Sequence, residues 1–252
     1  MNIVDALNIN ICNREVISIV GAGGKTSTMY RIAWELKKKK KRVLITTTTA
    51  IYCPPSYIYD DLFISNKIEE LCKKSNDVLD SSITVIGSYI INNKLKGINK
   101  NWINILYDKF DYIIVEADGA KRKPIKAPAS YEPVIPSLTT KVIGCIGLDC
   151  IGSYINDKYV HRADIFSKVV NQRLDSTINY DTIRHLINSK DGLFKECGNI
   201  NNKIVLFNKA YTDNLLQEAR IASEIILQEN KSISKVIIGN VQNNNPILIV
   251  ME

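Results

Sequence analysis

The stretch Val16 to Ser27 reads Val-Ile-Ser-Ile-Val-Gly-Ala-Gly-Gly-Lys-Thr-Ser, and it constrains the chain more than any other. An apolar, β-branched run fits a buried strand. The glycines that follow let the backbone curl tightly and turn its N–H groups inward. Lys25 adds a positive charge and Thr26 a hydroxyl suited to Mg²⁺. Met29, Ile32, Ala33 and Leu36 then recur at helical spacing, so a helix opens with its N-terminus aimed at the same spot. Strand, glycine loop, Gly-Lys-Thr and helix together read as a phosphate-binding loop, with Gly21, Ala22, Gly23, Gly24, Lys25, Thr26 and Ser27 as its cradle.

The full pattern G-x-x-x-x-G-K-[ST] calls for glycine at position 19, where this chain has Ile19. The loop is the shorter G-x-x-G-K-T form and resembles that of Mur-type ligases more than that of an ordinary kinase. Elsewhere, apolar runs alternate with helical patterns. Strands are expected at about 16–20, 43–47, 83–87, 112–116, 141–147, 203–207 and 235–239, and helices at about 25–40, 66–74, 101–108, 162–172, 180–189 and 212–229. Runs such as Val43-Leu44-Ile45 and Tyr112 to Val115 are continuously apolar, as expected of strands covered on both faces. The expected fold is α/β, a mostly parallel doubly wound sheet with helices on both faces, a three-layer arrangement of the P-loop NTPase kind. Its ligands should sit beyond the carboxyl ends of the strands.

The 252 residues suit one such domain over 1–252, with a small hairpin extension near 87–98 and a final edge strand from Pro246 to Val250. The Asn-rich patches at 92–93, 199–202 and 243–245 read as loops. Six cysteines form no C-x-x-C pair, the first thirteen residues lack an apolar signal region, and no run is long enough to span a membrane. A cytoplasmic protein with reduced thiols and no membrane attachment is the expectation.

The net charge is +7, but it is concentrated. The six cations Lys37 to Arg42 fall where the first long helix ends, where they favour the negative end of its dipole. No recognisable nucleic-acid-binding module accompanies them, so nucleic acid is not an expected partner. The second cluster, Lys121, Arg122, Lys123 and Lys126, follows a strand that reads Asp-Tyr-Ile-Ile-Val-Glu-Ala-Asp-Gly from Asp111 to Gly119.

Four apolar residues ending in an acid suit the second strand of a P-loop NTPase, whose carboxylate reaches Mg²⁺ directly or through water. Glu116 stands at the strand end and Asp118 two residues on, so both can face one side and serve as acid or base. Thr46 to Thr49 end a strand expected beside the P-loop strand, which makes Thr48 and Thr49 candidate metal ligands with Thr26 and Glu116. The proline-rich loop after Asp118 reads as an acceptor pocket, Lys121 and Arg122 holding an anion or developing charge. His161 and Arg162 precede a helix, His161 being a candidate proton carrier. Asn208 and Lys209 resemble the start of the N-K-x-D base-reading strand, but Tyr211 stands where aspartate belongs. Asn208 and Lys209 are therefore expected to flank a base of either kind, ATP or GTP.

The glycine loop, the Thr46 to Thr49 run, Glu116 to Arg122, Lys126 to Pro136 and Val160-His161-Arg162 together resemble the YqeC-type family. The resemblance runs in order over roughly residues 14 to 165 and more loosely beyond. It implies a nucleotide-binding protein, with Mg²⁺ and ATP or GTP, accessory to selenium-dependent molybdenum hydroxylases. The implied partners are such a hydroxylase or the proteins that assemble its cofactor. Members often carry histidine after the threonine run, where this chain has Ala50. NTP hydrolysis and transfer to a small acceptor both fit; so does a nucleotide-gated scaffold with negligible turnover that delivers cofactor to a target. A Mur-like ligase lacks an identified amine acceptor.

Overall fold

A computed structural model describes residues 1–198 and 200–252. Its centre is a nine-stranded sheet. In chain order the strands of the molecule are β1 (Glu15–Gly21), β2 (Val43–Thr47), β3 (Ala50–Tyr52), β4 (Asp61–Ile64), β5 (Ile83–Gly87), β6 (Ile90–Ile91), β7 (Lys94–Lys96) and β8 (Tyr112–Glu116). They continue with β9 (Ile125–Lys126), β10 (Thr139–Gly147), β11 (Val160–His161), β12 (Lys203–Asn208), β13 (Ile233–Gly239) and β14 (Ile247–Met251). The large sheet runs β14-β13-β12-β10-β1-β8-β2-β5-β4. Every pairing in it is parallel except β13 with β14.

The helices are α1 (Ile3–Ala6), α2 (Lys25–Lys38), α3 (Ile68–Ser75), α4 (Trp102–Leu106), α5 (Ala163–Val170), α6 (Tyr180–Asn188) and α7 (Asp213–Glu229). Alternate side chains of the strands enter opposite cores. Ile17, Ile19, Val43, Ile45 and Ile114 pack with Met29, Ile32, Ala33 and Leu36 of α2 and with α1. On the other face Leu44, Ile113 and Val115 meet Leu71 of α3 and Ile103 and Leu106 of α4. Val142, Val205, Phe207 and Val236 meet Phe166 of α5, Ile183 of α6 and Ala219 of α7. Each fully buried aliphatic side chain stabilises by about 1.5–3 kcal/mol, so these three clusters dominate the favourable side of folding. The result is the expected three-layer α/β/α arrangement.

The structure corrects one placement. β2 pairs with β8 and β5, and β8 lies between it and β1, so the threonine-ended strand is not next to the glycine-loop strand. The hairpin near 87–98 is present as β6 and β7, and β3 joins it to make a separate three-stranded sheet, β3-β7-β6. The C-terminal edge strand is β14. The sheet edge β4 and the short α1 have no counterpart among the expected elements. The segments at 92–93 and 243–245 are turns or bends; of the Asn-rich stretch at 199–202, Asn199 lies outside the described residues. Glu132–Pro133 is a cis peptide. Among the described residues no helix is long and apolar enough to cross a membrane. All six cysteines are free.

Candidate functional site

The glycine loop connects β1 to α2 and is tied on three sides, to the ends of two neighbouring strands and to the loop after β8. Gly21 N–H donates to Asp118 Oδ2 (3.0 Å), Ala22 N–H to Cys145 O (2.9 Å) and Gly23 N–H to Lys123 O (3.1 Å). Asn208 fixes the fourth side, its amide donating to Gly23 O (2.8 Å) and accepting from Val241 N–H (3.1 Å). Gly23 and Gly24 have φ of +80° and +133°, and a Cβ on either would fall 2.1 Å from Gly147 N or Asn208 Nδ2. Only glycine fits such close approaches in that backbone region. Among the described residues none accepts from the N–H groups of Gly24, Lys25, Thr26 or Ser27. These are the donors that a helix N-terminus leaves for an anion.

Beneath the loop lies a buried cluster of charge. Lys25 Nζ donates to Gly21 O (2.7 Å) and stands 3.2 Å from Asp118 Oδ1 and 3.5 Å from Glu116 Oε1. Burial pushes the Lys25 ammonium pKa down, but Asp118 and Glu116 outweigh it and the net direction is up. Burial raises the Glu116 pKa, and Lys25 and the Thr26 hydroxyl only partly offset that. Thr26 Oγ1 donates to Glu116 Oε2 at 2.8 Å, bringing the helix hydroxyl and the β8 carboxylate to one point. A hydroxyl and a carboxylate are hard oxygen donors, and Mg²⁺ needs few protein ligands because it keeps waters and phosphate oxygens. The pair therefore fits Mg²⁺. Among the described residues no three His, Cys, Asp or Glu side chains converge as they would for a metal held by protein alone.

The charge cluster continues away from the loop. Lys126 Nζ lies 3.0 Å from Asp118 Oδ2, 2.6 Å from Glu132 Oε2 and 2.7 Å from Gly119 O. Arg162 closes the chain, its guanidinium pairing with Glu132 and reaching Tyr131 Oη at 3.2 Å. Burial raises the Glu132 carboxyl pKa, but hydrogen bonds from Arg162 and Lys126 overcome it and hold it down at about 2. Lys25, Asp118, Lys126, Glu132 and Arg162 thus form a line of alternating sign.

The remaining candidates scatter around this line. Thr48 Oγ1 donates to Val134 O (2.8 Å), and Thr49 Oγ1 lies 3.3 Å from Thr47 Oγ1. Neither hydroxyl bonds to Thr26 or to the Glu116 carboxylate; it is Thr47 that reaches β8, donating to Glu116 O (2.7 Å). Lys121 and Arg122 are exposed and both left-handed, at φ +46° and +60°. Arg122 stacks 3.9 Å above the ring of Tyr52 on β3, off the charged line. His161 is buried; burial, then Arg162 and Lys126, push its pKa down to about 4, so its imidazole is neutral at pH 7. Lys209 pairs with Asp149 at 2.6 Å. Lys126 and Glu132 are the charged partners the sequence reading left without a role, although both sit in the dense Glu116 to Pro136 segment.

A mostly parallel sheet between two helical layers, with a glycine loop over buried Lys25, Glu116 and Asp118, defines a three-layer α/β/α protein. The family described as YqeC protein matches residues 17–164, and the chain belongs to that family. A protein of Escherichia coli (strain K12), described as uncharacterized protein YqeC, is 27% identical over 241 residues, covering 92% of this chain and 90% of its own length.

Proposed function

We propose that the chain binds a nucleoside triphosphate with Mg²⁺ and hydrolyses it or transfers its phosphoryl group, as an accessory to the maturation of a selenium-dependent molybdenum hydroxylase. The observation that carries the reading is the meeting of Thr26 with Glu116 under a loop whose next N–H groups are free to receive phosphate. Gly24 to Ser27 would donate to the phosphate oxygens, and Lys25 would neutralise them from below. Thr26 and Glu116 would hold the metal, whose charge stabilises the phosphoryl group in transfer. The accessory role rests on the family resemblance, not on geometry.

One observation favours the second reading, nucleotide-gated binding without turnover. Asp118, a candidate base, is already engaged by Gly21 N–H, Lys25 and Lys126. These contacts give the Asp118 carboxylate a structural part, tying the glycine loop to the line of buried ion pairs, as a nucleotide-gated switch requires.

The test is the melting temperature under titration with ATP or GTP, with and without Mg²⁺, for the wild type, Lys25→Met and Thr26→Ala. A Mg²⁺-dependent rise that both substitutions remove supports the site and names the base. No rise with either nucleotide overturns the reading. Phosphate release from the stabilised complex then separates turnover from gating.

A further inference from the structure

Beyond the end of the charged line, the surface opens into a cleft of about 540 Å³. That volume suits a metabolite-sized ligand. Ile165 and Val169 of α5 give it an apolar floor, and Tyr131, 70% exposed, stands at its edge. Three cations border it, Arg162, Lys168 and Lys195, against one carboxylate, Asp191.

The cations differ in how they are held. Glu132 and Tyr131 Oη fix the Arg162 guanidinium, and Arg162 keeps a left-handed backbone at φ +66°. Such a conformation costs about 1–3 kcal/mol unless its surroundings enforce it, and here the ion pair with a buried carboxylate does so. Lys195 Nζ donates to Ala129 O (3.0 Å) and Ser130 O (3.2 Å), which holds the ammonium without neutralising it. The Lys168 ammonium has no hydrogen-bond or ion-pair partner among the described residues. An aromatic edge, an apolar floor and two ammonium groups without a paired carboxylate, Lys168 and Lys195, select a particular chemistry in one concavity.

We propose that this cleft binds a small molecule made of a planar ring bearing an anionic group, carboxylate or phosphate. The ring lies on the apolar floor against Tyr131, and the anion sits between Lys168 and Lys195. Arg162 acts as a positioning residue, holding Tyr131 and adding charge from behind. The site does not depend on what the glycine loop binds, because none of its bordering residues belongs to that loop.

The test uses the full chain and two probes, 2-naphthoate and 1-naphthyl phosphate, followed by saturation-transfer NMR of the ring protons. Tyr131→Ala and Lys168→Glu alter exposed side chains outside the buried charged line. Each is expected to weaken 2-naphthoate binding about tenfold, the scale of one lost aromatic contact for Tyr131 and of one lost charge-assisted contact for Lys168. Thr26→Ala, which leaves every member of the charged line in place, should leave 2-naphthoate binding unchanged while weakening any nucleotide binding, so failure of the nucleotide reading and failure of this one are told apart. The relative affinity of the two probes shows which anion is preferred. Transfer that is absent, or equal in wild type, Tyr131→Ala and Lys168→Glu, overturns the proposal. So does loss of 2-naphthoate binding in Thr26→Ala, which would place the probe in the glycine loop. Equal binding of cyclohexanecarboxylate would overturn the requirement for a planar ring.

Discussion

Lys126 is 1% exposed, and its ammonium lies between Asp118, Glu132 and the carbonyl of Gly119. In the sequence it reads as one more cation of a basic loop, because nothing local reveals which acids fold back upon it. Its partners lie eight residues before it and six after, and the contact is made only when β9 is drawn to the end of β8. Removing one member of a buried ion group leaves the others charged and unpaired, which costs about 3–5 kcal/mol. Lys126→Met should therefore destabilise the chain by that order, and Lys126→Met with Glu132→Gln by less than the sum of the two single changes. Denaturant unfolding of the four proteins measures the coupling; additive losses would mean the pair does not interact in solution. Glu132 also gives the cycle a pH signature. Its folded pKa, about 2, lies below the ordinary 4.5, so its stabilising effect is complete above 4.5 and is lost as pH falls from 4.5 toward 2. Glu132→Gln should flatten that part of the acid-side stability curve.

At the scale of elements, most of the strands legible in the sequence are those buried along nearly their whole length. β2 and β8 are buried along their whole length, and their sequences say so. β4 was not legible because Asp61-Leu62-Phe63-Ile64 is half-buried throughout, a short edge strand with one acidic residue. The order of the strands is a different matter. Parallel pairing is non-local, so no residue in β2 announces that β8 will lie between it and β1, and the hydroxyls of Thr48 and Thr49 bond to Val134 and Thr47 rather than to the Glu116 carboxylate. The small sheet β3-β7-β6 shows how an appended element is anchored. Its strand β7 is bordered by lysines, yet Leu95 between them is fully buried in the core shared with α1 and α2. A Cβ on Gly87, at the end of β5, would lie 2.3 Å from Leu95 Cδ1, which is how closely the two are packed. Leu95→Ala should cost about 2–5 kcal/mol, as for a leucine of the main core. A loss below about 0.5 kcal/mol, the usual range for surface positions, would mean that this sheet is only loosely attached.

At the scale of the whole molecule, the glycine loop is where separate parts of the sheet meet. Its composition was legible from twelve consecutive residues, whereas its ties were not, because they come from Asp118 after β8, Lys123 in the next loop, Cys145 on β10 and Asn208 on β12. Each tie is a single hydrogen bond, three of them to the ends of β8, β10 and β12, so ordering the loop orders those ends as well. A ligand that binds only the folded chain stabilises it by about 2.7 kcal/mol at one hundred times its dissociation constant. In a chain of this size each kcal/mol raises the melting temperature by about 2–4 °C. With Mg²⁺ and the stabilising nucleotide present, amide exchange should slow first at Gly24 to Ser27, whose N–H groups have no acceptor among the described residues. It should slow next at Gly21 to Gly23, Asp118 to Lys123 and Val241, the groups bonded to the loop or to Asn208, while β14 at the sheet edge changes little. Hydrogen exchange read by mass spectrometry resolves these segments. Protection confined to Gly24 to Ser27 would mean that the loop closes on its ligand alone. Protection spreading along the bonded strand ends would mean that the ligand is felt from β8 through β10 to β12, because the loop and those three strand ends open and close as one unit.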